Sequence, residues 1–83
     1  MARVRGRVFD VYRSRNAIFI NFGKDWRHDF TAVIFKENFK DFDSAGVNVI
    51  DYKGRTLVVS GVILKYKGRA EIILTRPSQI QAD

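Results

Sequence analysis

The chain contains no cysteine. A disulfide scaffold, a thiolate zinc site and a cysteine nucleophile are all excluded by that one absence. The only histidine is His28, and a lone imidazole with no second histidine or thiolate makes a poor metal site. One proline and six glycines exclude a low-complexity chain. No apolar run approaches the roughly 18–20 residues that span a bilayer, so no membrane partner is expected. The opening "MARVRGRVFD" is charged and lacks an apolar h-region, so it reads as having no signal peptide. The cytoplasm is the expected compartment unless a leader has been removed.

Acids are scarce as well. Nine Asp and Glu stand against 15 Lys and Arg, for a net charge of +6 and a pI near 10.1. A small basic domain attracts polyanions, nucleic acid first and anionic membrane or acidic protein after it. Nine of the cations are arginine, which suits bidentate phosphate contact and base stacking better than lysine does. An excess of solvated surface cations is the plainer explanation of the same numbers.

The 83 residues are expected to form one monomeric domain over 1–83, with 81–83 frayed. A chain of this length buries roughly 60–65% of its unfolded surface, so the core is small. Most of it carries a strand pattern. In "RVRGRVFDVYR" the residues Arg3, Arg5 and Arg7 alternate with Val4, Gly6 and Val8, and Gly6 predicts a bend. "NAIFINF" and "FTAVIF" are the second and third strands, separated by the turn "GKDWRHD". The period then changes: Phe35, Phe39 and Phe42 recur at spacings of four and three, predicting a short amphipathic helix closed by Gly46. "RTLVVSGVILKY" and "RAEIIL" are the fourth and fifth strands, joined by Lys67–Gly68. Pro77 ends the last of them, and "SQIQAD" trails off with Ile80 against the core. The order is mainly β, with one short helix between strands 3 and 4. It predicts a five-stranded Greek-key barrel of the OB type.

Several stretches also resemble a known group. "NFGKDW", "DFTAVIF", "YKGRTLVVSG" and the closing "RPSQI" resemble small bacterial OB-fold domains, over a span from about Gly6 to Ile80. Such domains occur alone or beside staphylococcal-nuclease-like domains and are usually labelled DNA-binding. The resemblance implies an OB barrel and a nucleic-acid role, and it supplies no catalytic residues.

In an OB fold the binding surface is the outer face of strands 2 and 3 with the flanking loops. If Ile18, Ile20 and Phe22 point into the barrel, Phe19 and Asn21 point out. Phe19 would then offer a stacking platform. Lys24, Trp26 and Arg27 sit in the strand 2–3 turn, where a tryptophan could stack on bases and the cations hold phosphates. Tyr12, Arg13 and Arg15 lie at the strand 1–2 turn, and Lys65, Tyr66, Lys67 and Arg69 at the strand 4–5 hairpin. In each turn the structural alternative is an aromatic folded over the barrel end and solvated cations. Arg3, Arg5 and Arg7 make a stripe about 13 Å long at strand spacing, best explained as charge protecting an edge strand. "DFDSAGVNVIDY" lacks the acid pattern of a calcium loop. No nucleophile or carboxylate cluster suggests an enzyme or a cofactor. The expectation is a non-catalytic domain binding single-stranded DNA or RNA with little sequence preference. The alternative is a module docking a partner protein, such as a nuclease or subunit, through the same face.

Overall fold

The computed structural model describes residues 1–82. Strands β1 (Ala2–Arg7), β2 (Asp10–Arg13), β3 (Ala17–Asn21) and β4 (Thr31–Phe35) lead to a short helix, α1 (Phe39–Ser44). β5 (Thr56–Gly61), β6 (Ile63–Tyr66), β7 (Arg69–Ile73) and β8 (Ile80–Ala82) follow. Single 3₁₀ turns occupy Lys36–Asn38, Val49–Tyr52 and Pro77–Gln79. The protein is mainly β, as the alternating patterns predict. Among the described residues no helix is long and apolar enough to cross a membrane.

The strands form two open sheets, β1-β5-β8 and β2-β3-β4-β7-β6, and neither closes on itself. The five-stranded, partly closed Greek-key barrel expected from the sequence is therefore not drawn by the hydrogen bonding, which leaves two open sheets. The first and fourth runs each break once and serve both sheets. β1 pairs with β5, and beyond Val8 and Phe9 the chain re-enters as β2 beside β3. Likewise β5 stops at Gly61, and β6 resumes beside β7. Gly61 is required there because a Cβ would lie 2.8 Å from Ile72 Cγ2. Gly6, expected to mark the first bend, instead stays within β1 opposite Leu57. The bend falls after it, and the missing side chain at Gly6 leaves room for the Phe22 ring, 3.0 Å from a would-be Cβ. All pairings are antiparallel except β4 with β7, which is parallel.

The core lies between the sheets. Ile18 and Ile20 of β3, Ile34 of β4, Leu57 and Val59 of β5 and Ile72 of β7 are buried in it, as period-2 alternation requires. Helix α1 adds Phe42, which is 1% exposed. Only part of the predicted helical stripe holds. Phe39 packs on the core edge, whereas Phe35 ends β4 and is exposed.

The chain end departs from expectation. Gln79 accepts hydrogen bonds from the Thr75 and Arg76 amides at 2.7 and 3.0 Å and donates to the Ser60 and Ile73 carbonyls at 3.0 and 3.3 Å. It clamps the turn opened by Pro77 between β5 and β7. Ile80, Gln81 and Ala82 then pair with Val59, Val58 and Leu57 instead of trailing off. Asp83, the remainder of the expected frayed end, lies outside the described residues.

Candidate nucleic-acid interface

Side chains alternate across the five-stranded sheet, so its outer face is set by register. One row runs Asp10–Asn21–Thr31–Glu71–Leu64, and the next runs Tyr12–Phe19–Val33–Ile73. Phe19 and Asn21 face outward as expected, with Ile18 and Ile20 turned into the core. On this face Asp10, Tyr12, Phe19, Asn21, Trp26 and Arg69 line an open cavity of about 490 Å³. That volume lies within the usual range of small-ligand pockets.

The aromatic residues take unequal parts. The Phe19 ring stacks against Tyr12, with centroids 6.2 Å apart and planes at 27°, and the Arg69 guanidinium carbon lies 6.0 Å from its centroid. Phe19 thus forms the floor more than a free platform. Tyr12 and Trp26 are the open surfaces, at 59% and 58% exposure. Arg27 lies 5.4 Å over the Trp26 ring. The Trp26 loop is ordered by its own acids. Asp29 Oδ2 accepts from the Asp25 amide at 2.9 Å, and Asp25 accepts from the Arg27 amide at 3.1 Å and pairs with His28 Nδ1 at 2.8 Å. The His28 hydrogen bond, followed by weaker help from Arg27, holds the Asp25 carboxyl below the usual carboxylate range. A group with a depressed folded-state pKa supports its loop at neutral pH, and that support is lost as pH falls through the folded value.

Arg69 differs most from its expected part. It is 9% exposed, and its guanidinium donates to Glu71 from Nε at 3.2 Å and from Nη2, and to the Trp26 carbonyl from Nη1 at 2.8 Å. Its charge is neutralised by Glu71, itself only 7% exposed. Arg69 is a strut that fixes the Trp26 loop to β7, where the sequence suggested a phosphate contact. Glu71 and Asp10 were not among the expected site residues. The signal available was strand alternation: Arg69 and Glu71 stand two apart on one strand face, as do Asp10 and Tyr12.

The remaining cations divide. Lys24 and Arg27 are exposed on the Trp26 loop, and Lys67 on the turn of the β6–β7 hairpin that leads into Arg69, while Lys65, paired with Ala70 between Leu64 and Tyr66, is exposed on the opposite face of β6. That hairpin is a two-residue turn with Lys67 and Gly68 at φ 50° and 81°, the positive pair that matches strand twist. Lys67 Nζ sits 5.3 Å over Tyr66, which pairs with Arg69 across the hairpin. Arg13 does not join them. It points to the opposite face from Tyr12, 4.8 Å over Phe39, beside a smaller cavity of about 240 Å³ next to α1. Arg15 is exposed in the β2–β3 turn and does not line the main cavity. Arg3, Arg5 and Arg7 lie on β1, an edge strand of the other sheet. Arg7 donates there to the Gly54 carbonyl at 3.2 Å. Among the described residues no three of His, Asp and Glu gather as metal ligands would.

Comparisons with protein-family models, with curated proteins and with solved structures found no match for this chain.

Proposed function

We propose that this protein is a non-catalytic domain of the OB type that binds single-stranded nucleic acid through the outer face of the five-stranded sheet. The barrel reading is supported by strand order. With β1–β2 and β5–β6 each taken as one bent strand, the neighbours run first, second, third, fifth, fourth and back to first through β1–β5. That order is the one a Greek-key barrel of the OB type would have, and it supports the reading. One observation carries the functional reading: Tyr12, Phe19 and Trp26 line a single cavity whose flanking loops carry Lys24, Arg27 and Lys67. Aromatic surfaces accept any base by its π-face, and the cations follow the backbone, so most of the bound strand is read with little sequence preference.

A second reading has its own observation. Val62, Ile63 and Leu64, on and just before edge strand β6, are 63%, 47% and 47% exposed, an apolar run suited to a partner protein. Salt separates the two, because phosphate neutralisation makes binding fall steeply with salt and apolar docking does not.

The test is binding of a labelled single strand to two variants. Trp26→Ala is expected to cost about 1–3 kcal/mol of binding, and the double change Lys24→Ala, Lys67→Ala to flatten the slope of log K against log salt by about 1.4. Unchanged affinity and slope in both, with the fold intact by circular dichroism, would remove these loops from the interface.

A further inference from the structure

We propose that the outer face of the three-stranded sheet is a second nucleic-acid site, one that grips the phosphate backbone of a duplex without reading its bases. It lies across the core from the aromatic cavity and stands whether or not that cavity binds a ligand. Arg3, Arg5 and Arg7 alternate along β1 with Val4, which packs on the core, and Gly6, which faces the Phe22 ring. The three arginines therefore share one exposed row, with Arg3 and Arg7 about 13 Å apart at strand rise. Opposite them on β5 stand Ser60, Val58 and Thr56, and Gln81 of β8 pairs with Val58 from the other side.

The two ends of the row keep their charge. β1, β5 and β8 contain no Asp or Glu. Arg3 donates to the Gln81 side-chain carbonyl at 3.5 Å and Arg7 to the Gly54 carbonyl at 3.2 Å, and both acceptors are neutral. The five-stranded sheet differs, since there Glu71 neutralises Arg69 and Asp10 pairs with Lys53. A row that only kept an edge strand from pairing would need no donors on the strands beside it. Here Thr56, Ser60 and Gln81 supply hydroxyls and an amide, groups that bond phosphate oxygens.

What the face lacks decides the ligand. None of its three strands carries Phe, Tyr or Trp. Unpaired bases find no ring there, and stacking is worth about 1–3 kcal/mol per base where single strands are held. Only phosphate contact remains, for which the guanidinium fork is well shaped. A duplex carries one charge per roughly 1.7 Å of axis, and each phosphate neutralised contributes about 0.9 to the salt slope, against about 0.7 on a single strand. An arginine face without aromatics therefore favours a duplex, as the aromatic cavity favours a single strand.

The experiment measures anisotropy of a labelled blunt-ended DNA duplex, and separately of a labelled single strand, over a salt series. The double change Arg3→Gln, Arg7→Gln should lower duplex affinity about tenfold at ~0.1 M salt and flatten its slope by about 1.8. Single-strand affinity should shift by less than about twofold, because exposed charges more than about 10 Å apart are largely screened. Arg3→Lys, Arg7→Lys keeps the charge and should keep most of the duplex slope. Trp26→Ala should leave duplex binding unchanged, and its loss there would overturn a separate site. Binding of the single strand but not the duplex would overturn this inference and leave the cavity reading standing. Binding of the duplex alone, lost in the Gln variant, would do the reverse. A Gln variant that holds the duplex as the wild type does would assign the row to edge protection and overturn the proposal. Failure of both ligands to bind would overturn both readings.

Discussion

Glu71→Ala is expected to destabilise the domain by about 3 kcal/mol, at the lower end of what breaking a buried ion pair costs. The reason is what it leaves behind. Arg69 would remain 9% exposed with its charge uncompensated and the Trp26 carbonyl as its remaining partner. The pair lies on the outer sheet face, where water can partly relieve the charge, and this favours the lower end. Glu71→Gln, which keeps an acceptor at the same place, should lose less. The double change Arg69→Met, Glu71→Leu should recover most of the stability, because apolar residues of similar volume commonly match a buried pair. It would also release the Trp26 loop from β7 and so weaken ligand binding while the fold survives. Urea unfolding reads the first effect as a drop in midpoint of about 3 M, for a slope near 1 kcal/mol/M. A change under about 0.5 kcal/mol, the size of an ordinary surface substitution, would mean that the ion pair is not buried in solution.

Phe42→Ala is expected to cost about 3–5 kcal/mol. Phe42 is the one fully buried side chain of α1, and it meets residues of both sheets in the core. The helix has six residues and no side-chain cap at Asn38, so it cannot persist by local propensity. Its order depends chiefly on that ring, with Phe39 packed on the core edge beside it. Losing the ring therefore opens a cavity and loosens the connection from β4 to β5 together. Phe42→Leu should cost no more than about 1.5 kcal/mol, since volume is nearly kept. Hydrogen exchange distinguishes this account from general weakening. Amides of α1 should lose protection well before those of β3 and β4, and uniform loss would contradict a plug held by Phe42.

How much of this was legible in the sequence depended on the range of the forces involved. The faces of β3 were readable because Ile18, Ile20, Phe19 and Asn21 obey a period of two over consecutive positions. The helix was readable from Phe39 and Phe42, while Phe35 shared their spacing and belongs to β4. The break at Val8–Phe9 carries neither proline nor glycine, because it comes from the strand turning between two sheets, whereas the break at Val62 is marked by Gly61 just before it. β8 rests on Gln79, whose bonds reach back to Ser60, a connection that no local pattern signals. The cavity was half visible. Its aromatics and loop cations stand out in sequence, but the Arg69 contact to Trp26 spans 43 positions and reassigns the arginine. Asp10 was hidden because a single acid beside a bend looks like turn chemistry until its cross-strand partner is known.

The central claim is tested most directly by titrating the protein with a mixed-sequence single-stranded oligonucleotide, following Trp26 fluorescence at low and moderate salt. Trp26 is the only tryptophan, so the signal reports the cavity wall itself. The account predicts saturable quenching whose affinity falls steeply as salt rises, as expected when several phosphates are neutralised. No quenching, together with no binding by anisotropy of a labelled strand, would contradict it and leave a protein partner as the ligand of this face.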